Sequence, residues 1–151
     1  MKKMLKNGTF LLIMTIAIFS TIMVVNAGVC IKTFISISHN STLTGEKRDY
    51  NYNSYSLDIT PTFLEGGPQH TSKVILGTYL YQPEYLLGIH VNSTQLAYKS
   101  ITIPTDSVGQ TTYASFGSAG SGKRFWAFST FGNSGAGSGS IKADVIINNW
   151  T

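Results

Sequence analysis

Ile141, Ala143, Val145 and Ile147 recur at every second position near the C-terminus, with Lys142 and Asp144 between them and Asn148 following. Side chains alternate faces along a strand, so this spacing makes one apolar and one wet face, whereas a helix would scatter the same residues around its circumference. The segment 123–131 differs. There Trp126 and Phe128 fall on one face while Phe125, Ala127 and Phe131 fall on the other. A strand apolar on both faces is either central in a two-layer structure or displays an exposed aromatic surface. The Gly/Ser-rich stretch 132–140 joins the two strands.

The upstream chain reads as more strands of the same kind. Residues 29–39 alternate Ile35 and Ile37 with Ser36 and Ser38, and 40–49 follow as a polar loop whose charges at 45–49 are of mixed sign. Tyr55, Leu57 and Ile59 alternate toward one side in a run stopped by Pro61. The cluster 64–69 supplies the Gly and Pro that turns need. Segments 73–81 and 84–92 read as a hairpin with Gln82 and Pro83 in the connection, since proline cannot donate to a sheet ladder. Residues 96–103 form another strand ended by Pro104, and 111–116 a weaker one before the glycines of 117–122. The expectation is an all-β fold, a single antiparallel β-sandwich or barrel-like domain of seven to nine short strands, preceded by an N-terminal signal helix.

That leader is legible in its own right. Lys2, Lys3 and Lys6 precede an apolar run at 10–25, and Val25-Asn26-Ala27 places small or tolerated residues before a cleavage point between Ala27 and Gly28. The chain therefore divides into a secretory signal peptide, 1–27, and a secreted domain, 28–151. The alternative is a membrane anchor retained through 10–25, a run shorter than the ~20 residues that usually span a bilayer. Of eleven Lys and Arg against seven Asp and Glu, three basic residues belong to the leader, so the remainder holds eight against seven. A nucleic-acid binder keeps a basic face for phosphate contacts. This chain does not, and nucleic acid is excluded as a partner. Cys30 is the single cysteine, so no intrachain disulfide forms and the core alone must stabilise the domain.

Chemistry-bearing motifs are sparse. Gly117 to Lys123 matches the G-x-x-x-x-G-K spacing of a phosphate loop, but Arg124 replaces the Ser or Thr that would hold magnesium, and a strand rather than a helix follows. A Gly/Ser hairpin turn accounts for it. His39, His70 and His90 lie far apart, with no ligand at metal-binding spacing, and no nucleophile elbow surrounds any serine. No catalytic residue, metal or cofactor is expected. Aromatic residues remain. Tyr50, Tyr52 and Tyr55 sit among Asn and Asp, where exposure is expected, and with Trp126 they form the candidate ligand-binding set. An exposed ring beside amides and hydroxyls suits a sugar face, a peptide or a bilayer interface.

The leading functional expectation is a small secreted, non-enzymatic protein that binds an extracellular or cell-surface ligand: polysaccharide, matrix or protein. A second is an exported toxin or bacteriocin-like protein, and membrane contact belongs to that alternative. A third is a small extracellular hydrolase.

Overall fold

A computed structural model describes residues 28–68, 70–130 and 139–150. The expected signal helix at 1–27, Phe131 and most of the Gly/Ser loop lie outside the described residues. The described chain is all-β, with strands β1 (Val29–Ile37), β2 (Thr42–Thr44), β3 (Arg48–Tyr50), β4 (Ser54–Glu65), β5 (Lys73–Leu86), β6 (Ile89–Pro104), β7 (Thr112–Ser118), β8 (Gly122–Ser129) and β9 (Ser140–Trp150). They form two antiparallel sheets, one in the order β1-β9-β4-β7 and the other β2-β8-β5-β6, with β3 also pairing β8. This settles the choice left open by the sequence: the sheets stack as a sandwich.

The alternation in β9 does what its period requires. Ile141, Ala143, Val145 and Ile147 are buried while Lys142 and Asp144 face water. They meet Ile35 and Ile37 of β1 and Leu57 and Ile59 of β4 in one cluster, closed from the other sheet by Leu76 and Leu80 of β5 and by Trp126 and Phe128 of β8. β8 is the central strand its two apolar faces imply, flanked by β2 and β3 on one side and β5 on the other. Trp150 stays outside this cluster, and Cys30 is exposed on β1.

Two prolines lie inside strands where the sequence suggests interruptions. β4 runs through Pro61 to Glu65, with a bulge between Pro61 and Phe63. The Pro61 carbonyl accepts from Gly109 N at 2.8 Å, on the side where β7 has already ended. The missing N–H would point the same way, so no ladder bond to β9 is lost. β5 likewise passes through Gln82 and Pro83 to Leu86, because its pairing with β8 stops at Tyr81 and leaves Pro83 on a one-sided ribbon with β6. The expected short strands and their connection are therefore one long hairpin. The polar loop 40–49 is also corrected in part, since β2 and β3 use six of the residues around it to line the rim of β8.

The real turn of the β5–β6 hairpin is Leu87-Gly88, between the paired residues Leu86 and Ile89. Both turn residues have positive φ, 52° at Leu87 and 81° at Gly88, as a two-residue type I′ hairpin demands. Leucine is a poor residue there, because its Cβ crowds the backbone in the left-handed region. Leu87→Asn, which creates an Asn-Gly turn, is expected to raise stability by about 1 kcal/mol. Urea unfolding midpoints of the two proteins check this.

Candidate functional site

Sandwiches are closed along their faces and open along their sides. At one side the edge strand β1 approaches β2 and the β2–β3 loop, and a cleft of about 260 Å³ opens between them. Ile31 and Thr33 of β1 form one wall and Leu43, Gly45 and Arg48 the other, over a floor that includes Tyr50, Trp126 and Phe128. The loop is fixed by a 2.8 Å bond from Gly45 N to the Trp126 carbonyl. At its mouth Arg48 pairs with Glu46 at 2.8 Å, an exposed ion pair that contributes little to stability but sets charge at the entrance.

Two of the four candidate residues, Tyr50 and Trp126, therefore meet in one cleft, though not as exposed rings. Tyr50 and Trp126 are each 2% exposed and Tyr55 is fully buried, so the expectation that the tyrosine cluster stands in solvent is corrected. The reason is pairing. β3 hydrogen-bonds to β8 opposite Gly122 to Arg124, which turns Tyr50 inward among core side chains although Asn and Asp flank it. Tyr50 meets Tyr55 edge-on at 5.5 Å, and Tyr55 meets Trp126 at 6.3 Å. Tyr55 itself donates to the Gly120 carbonyl at 2.5 Å and holds the β7–β8 connection rather than facing the cleft.

Tyr52 is half-buried in the bend before β4. Its backbone is clamped by Asn149: Tyr52 N donates to Oδ1 at 3.0 Å, and Nδ2 donates to the Tyr52 and Ser54 carbonyls at 2.9 and 3.0 Å. Asn149 occupies an inward position of β9 and is fully buried, a polar break in the apolar alternation that the sequence offers without explanation. Removing its amide strands buried backbone groups, each worth about 1–3 kcal/mol. Asn149→Ala is expected to lower stability by about 3 kcal/mol and Asn148→Ala by less than about 1 kcal/mol, measured by chemical denaturation.

Polar atoms on the cleft floor are few. The Trp126 indole Nε1–H is buried without a well-aligned acceptor. It lies near enough to the Tyr50 hydroxyl to work, with the Arg48 charge, against the effect of burial, which pushes the Tyr50 phenol above its usual 10.0. Burial likewise raises Tyr55, against the opposing influence of Arg124. A raised phenol pKa leaves stability untouched below about pH 10, where both states hold the proton. Above it the unfolded chain ionises first, so stability falls as pH rises toward the folded value. Tyr50→Phe is expected to reduce this alkaline loss, seen as a shallower fall in melting temperature above pH 10 than in the parent.

Other candidates from the sequence resolve plainly. The phosphate-loop-like stretch is not the hairpin turn expected of it but a crossover, carrying the chain from β7 in one sheet to β8 in the other, with Gly117, Gly120 and Gly122 at positive φ. The Arg124 guanidinium folds back onto the Ser121 and Lys123 carbonyls at 2.6 and 2.8 Å. The histidines lie on three different segments, and among the described residues no group of three or more His, Cys, Asp or Glu is placed to hold a metal.

A second aromatic set escaped the sequence reading. On the outer face of the β8-β5-β6 sheet, Tyr81 stacks between Phe125 at 5.2 Å and Tyr79 at 6.1 Å, and Tyr79 meets Tyr98 at 4.8 Å. Tyr79 folds over Gly77, where an added Cβ would come within 3.1 Å of its ring. The signal was present as Tyr79 and Tyr81 at strand spacing, but their partners come from other strands. The Phe125–Tyr81–Tyr79 rings face one another at 17°, so much of their flat area is turned inward along the row.

No protein-family model matches the chain, and no curated protein matches it in sequence. Among solved structures it is loosely similar to a periplasmic inhibitor of g-type lysozyme from Aeromonas hydrophila, at 10% identity over 81% of this chain and 87% of that one, with a TM-score of 0.37. Bacillus endospore appendages, described as disulfide-linked pili, match at 10% identity over 83% and 88%, TM-score 0.36. A family two carbohydrate esterase from Cellvibrio japonicus matches at 7% identity over 83% of this chain and 34% of its own, TM-score 0.37. At these values the likeness is loose, and no function passes from those proteins to this one.

Proposed function

We propose that this is a small, non-enzymatic binding module, exported by cleavage between Ala27 and Gly28, that recognises a protein ligand outside the cell through the cleft between β1 and the β2–β3 rim. The observation that carries this reading is the cleft itself, whose floor of Tyr50, Trp126 and Phe128 lies beside the edge strand β1. β1 pairs β9 on one side, and among the described residues no strand pairs its other side. Such an edge offers backbone N–H and C=O groups to an extended segment. A segment laid along β1 would direct alternate side chains at the sandwich interior. The cleft volume suits one bulky apolar side chain.

A polysaccharide is less well served. Sugar faces need flat rings presented to solvent in a group, whereas Tyr50, Tyr55 and Trp126 are buried, Phe125, Tyr81 and Tyr79 stack on one another, and the exposed rings Tyr98 and Tyr113 stand on different sheets.

The test is binding of the protein to a panel of extended peptides and to purified wall polysaccharide, with Thr33→Trp as the variant that fills the cleft from an exposed edge position. Peptide binding that shifts the Trp126 indole resonance and weakens at least about tenfold in Thr33→Trp supports the reading. Peptide binding unaffected by the substitution, or retention on polysaccharide alone, ends it.

A further inference from the structure

The β5–β6 hairpin outruns the sandwich. Beyond Tyr81 the β5 strand has lost β8, and the ribbon continues as β5 and β6 alone to the Leu87-Gly88 turn. Its register shifts at Leu80/Tyr81 and Glu84/Tyr85, irregularities of the kind that bend and twist a ribbon. A ribbon leaving a domain would ordinarily turn polar. This one turns apolar: Tyr85, Leu86, Leu87, Ile89 and Val91 are all exposed, Leu87 at 96%. Nothing in the fold requires it, since a type I′ turn prefers Asn where Leu87 sits at φ 52°. An exposed apolar patch of this kind, kept against the backbone's own preference, marks a contact surface.

Charge selects the partner. From Tyr85 to Val91 the chain carries no carboxylate, and Glu84 at the base is engaged by the Thr94 hydroxyl. Two lysines from outside the hairpin stand over the Tyr85 ring, Lys47 Nζ at 5.4 Å and Lys123 Nζ at 6.0 Å from its centre. Asp49 is the cross-strand partner of Lys123 and shares its face of the sheet, so one carboxylate stands beside the two lysines at the base of the hairpin. Moving back from the turn, the order is aliphatic tip, then Tyr85 packed beside His90 at 5.8 Å, then lysine ammonium groups. A bilayer is layered in the same order from acyl chains through the headgroup boundary to the anionic surface, where aromatic rings and lysines settle. A protein pocket has no reason to impose that depth sequence.

We propose that the tip of the β5–β6 hairpin, Tyr85 to Val91, inserts into the interfacial layer of a membrane bearing anionic lipid, with Lys47 and Lys123 on the headgroups. The contact is peripheral: two leucines and an isoleucine reach the acyl boundary while the sandwich stays in water. The tip is separate from the β1 cleft, although Lys47 lies on the β2–β3 loop whose Glu46 and Arg48 line that cleft; Leu86, Leu87 and Lys123 lie outside the cleft and distinguish the two.

The experiment uses the full chain with its single thiol removed by Cys30→Ser. A polarity-sensitive dye is placed either at Leu87→Cys or, as a control, at Val108→Cys, an exposed residue past the opposite end of β6. The expected result is a blue shift from the dye at position 87, absent at 108, on adding phosphatidylglycerol-containing vesicles. Lys47→Glu and Lys123→Glu should each raise the half-saturating lipid concentration about fivefold, and Leu86→Asp about tenfold or more. Because the dye sits on the tip, attachment through the apolar stretch 10–25 does not reproduce this pattern. No shift at position 87 with any vesicle overturns the proposal and leaves the tip to a protein partner. An equal shift at 108, or lysine reversals without effect, overturns it as well.

Discussion

Each sheet of this protein has an apolar face that water cannot be allowed to reach, and each hides the face of the other. With a single cysteine in the chain and, among the described residues, one ion pair that lies exposed between Arg48 and Glu46, neither cross-links nor ion pairs share that task. Burial between the sheets is the dominant favourable term, and it acts only when both layers are assembled. The interior is correspondingly filled by aliphatic residues from β1, β4, β5, β6 and β9, with Trp126 and Phe128 supplying bulk from β8.

Polar groups inside that layer are tolerated where they replace bonds the backbone would otherwise lack. Asn149 closes the irregular bend before β4, and the buried Thr78 hydroxyl donates to the Lys99 carbonyl at 2.8 Å. Thr130 ties the end of β8 to the β1–β2 turn, its hydroxyl donating to the Ser38 carbonyl at 2.7 Å and its backbone N to the Ser41 carbonyl. These side chains stitch segments that the sheet ladders leave loose. They contribute definition as much as stability, because each leaves an orphaned group if its partner moves.

Free surface in such a molecule is concentrated at the margins. The flat faces are committed to packing or covered by their own side chains, whereas edges and protruding ribbons keep free backbone and free apolar area. The cleft beside β1 and the tip beyond Tyr81 are both consequences of strands that end at different heights: β8 stops short of the β5–β6 ribbon, and β2 and β3 are too short to seal the side of the sandwich.

The alternating residues of β9, the doubly apolar β8 and the glycines of the β7–β8 connection were readable from the chain because each depends on neighbours two or three positions away. The same local logic misplaced Pro61 and Pro83, since whether a proline interrupts a strand depends on what lies across from its missing N–H. It also put Tyr50 and Tyr55 in solvent. Their flanking Asn and Asp residues are polar, but a short pairing of β3 with β8 turns the tyrosine inward. Period and composition settled that the chain would form sheets with one face to bury. Which rings were covered, and which leucines were left bare, was decided by strands far apart in sequence meeting at unequal lengths.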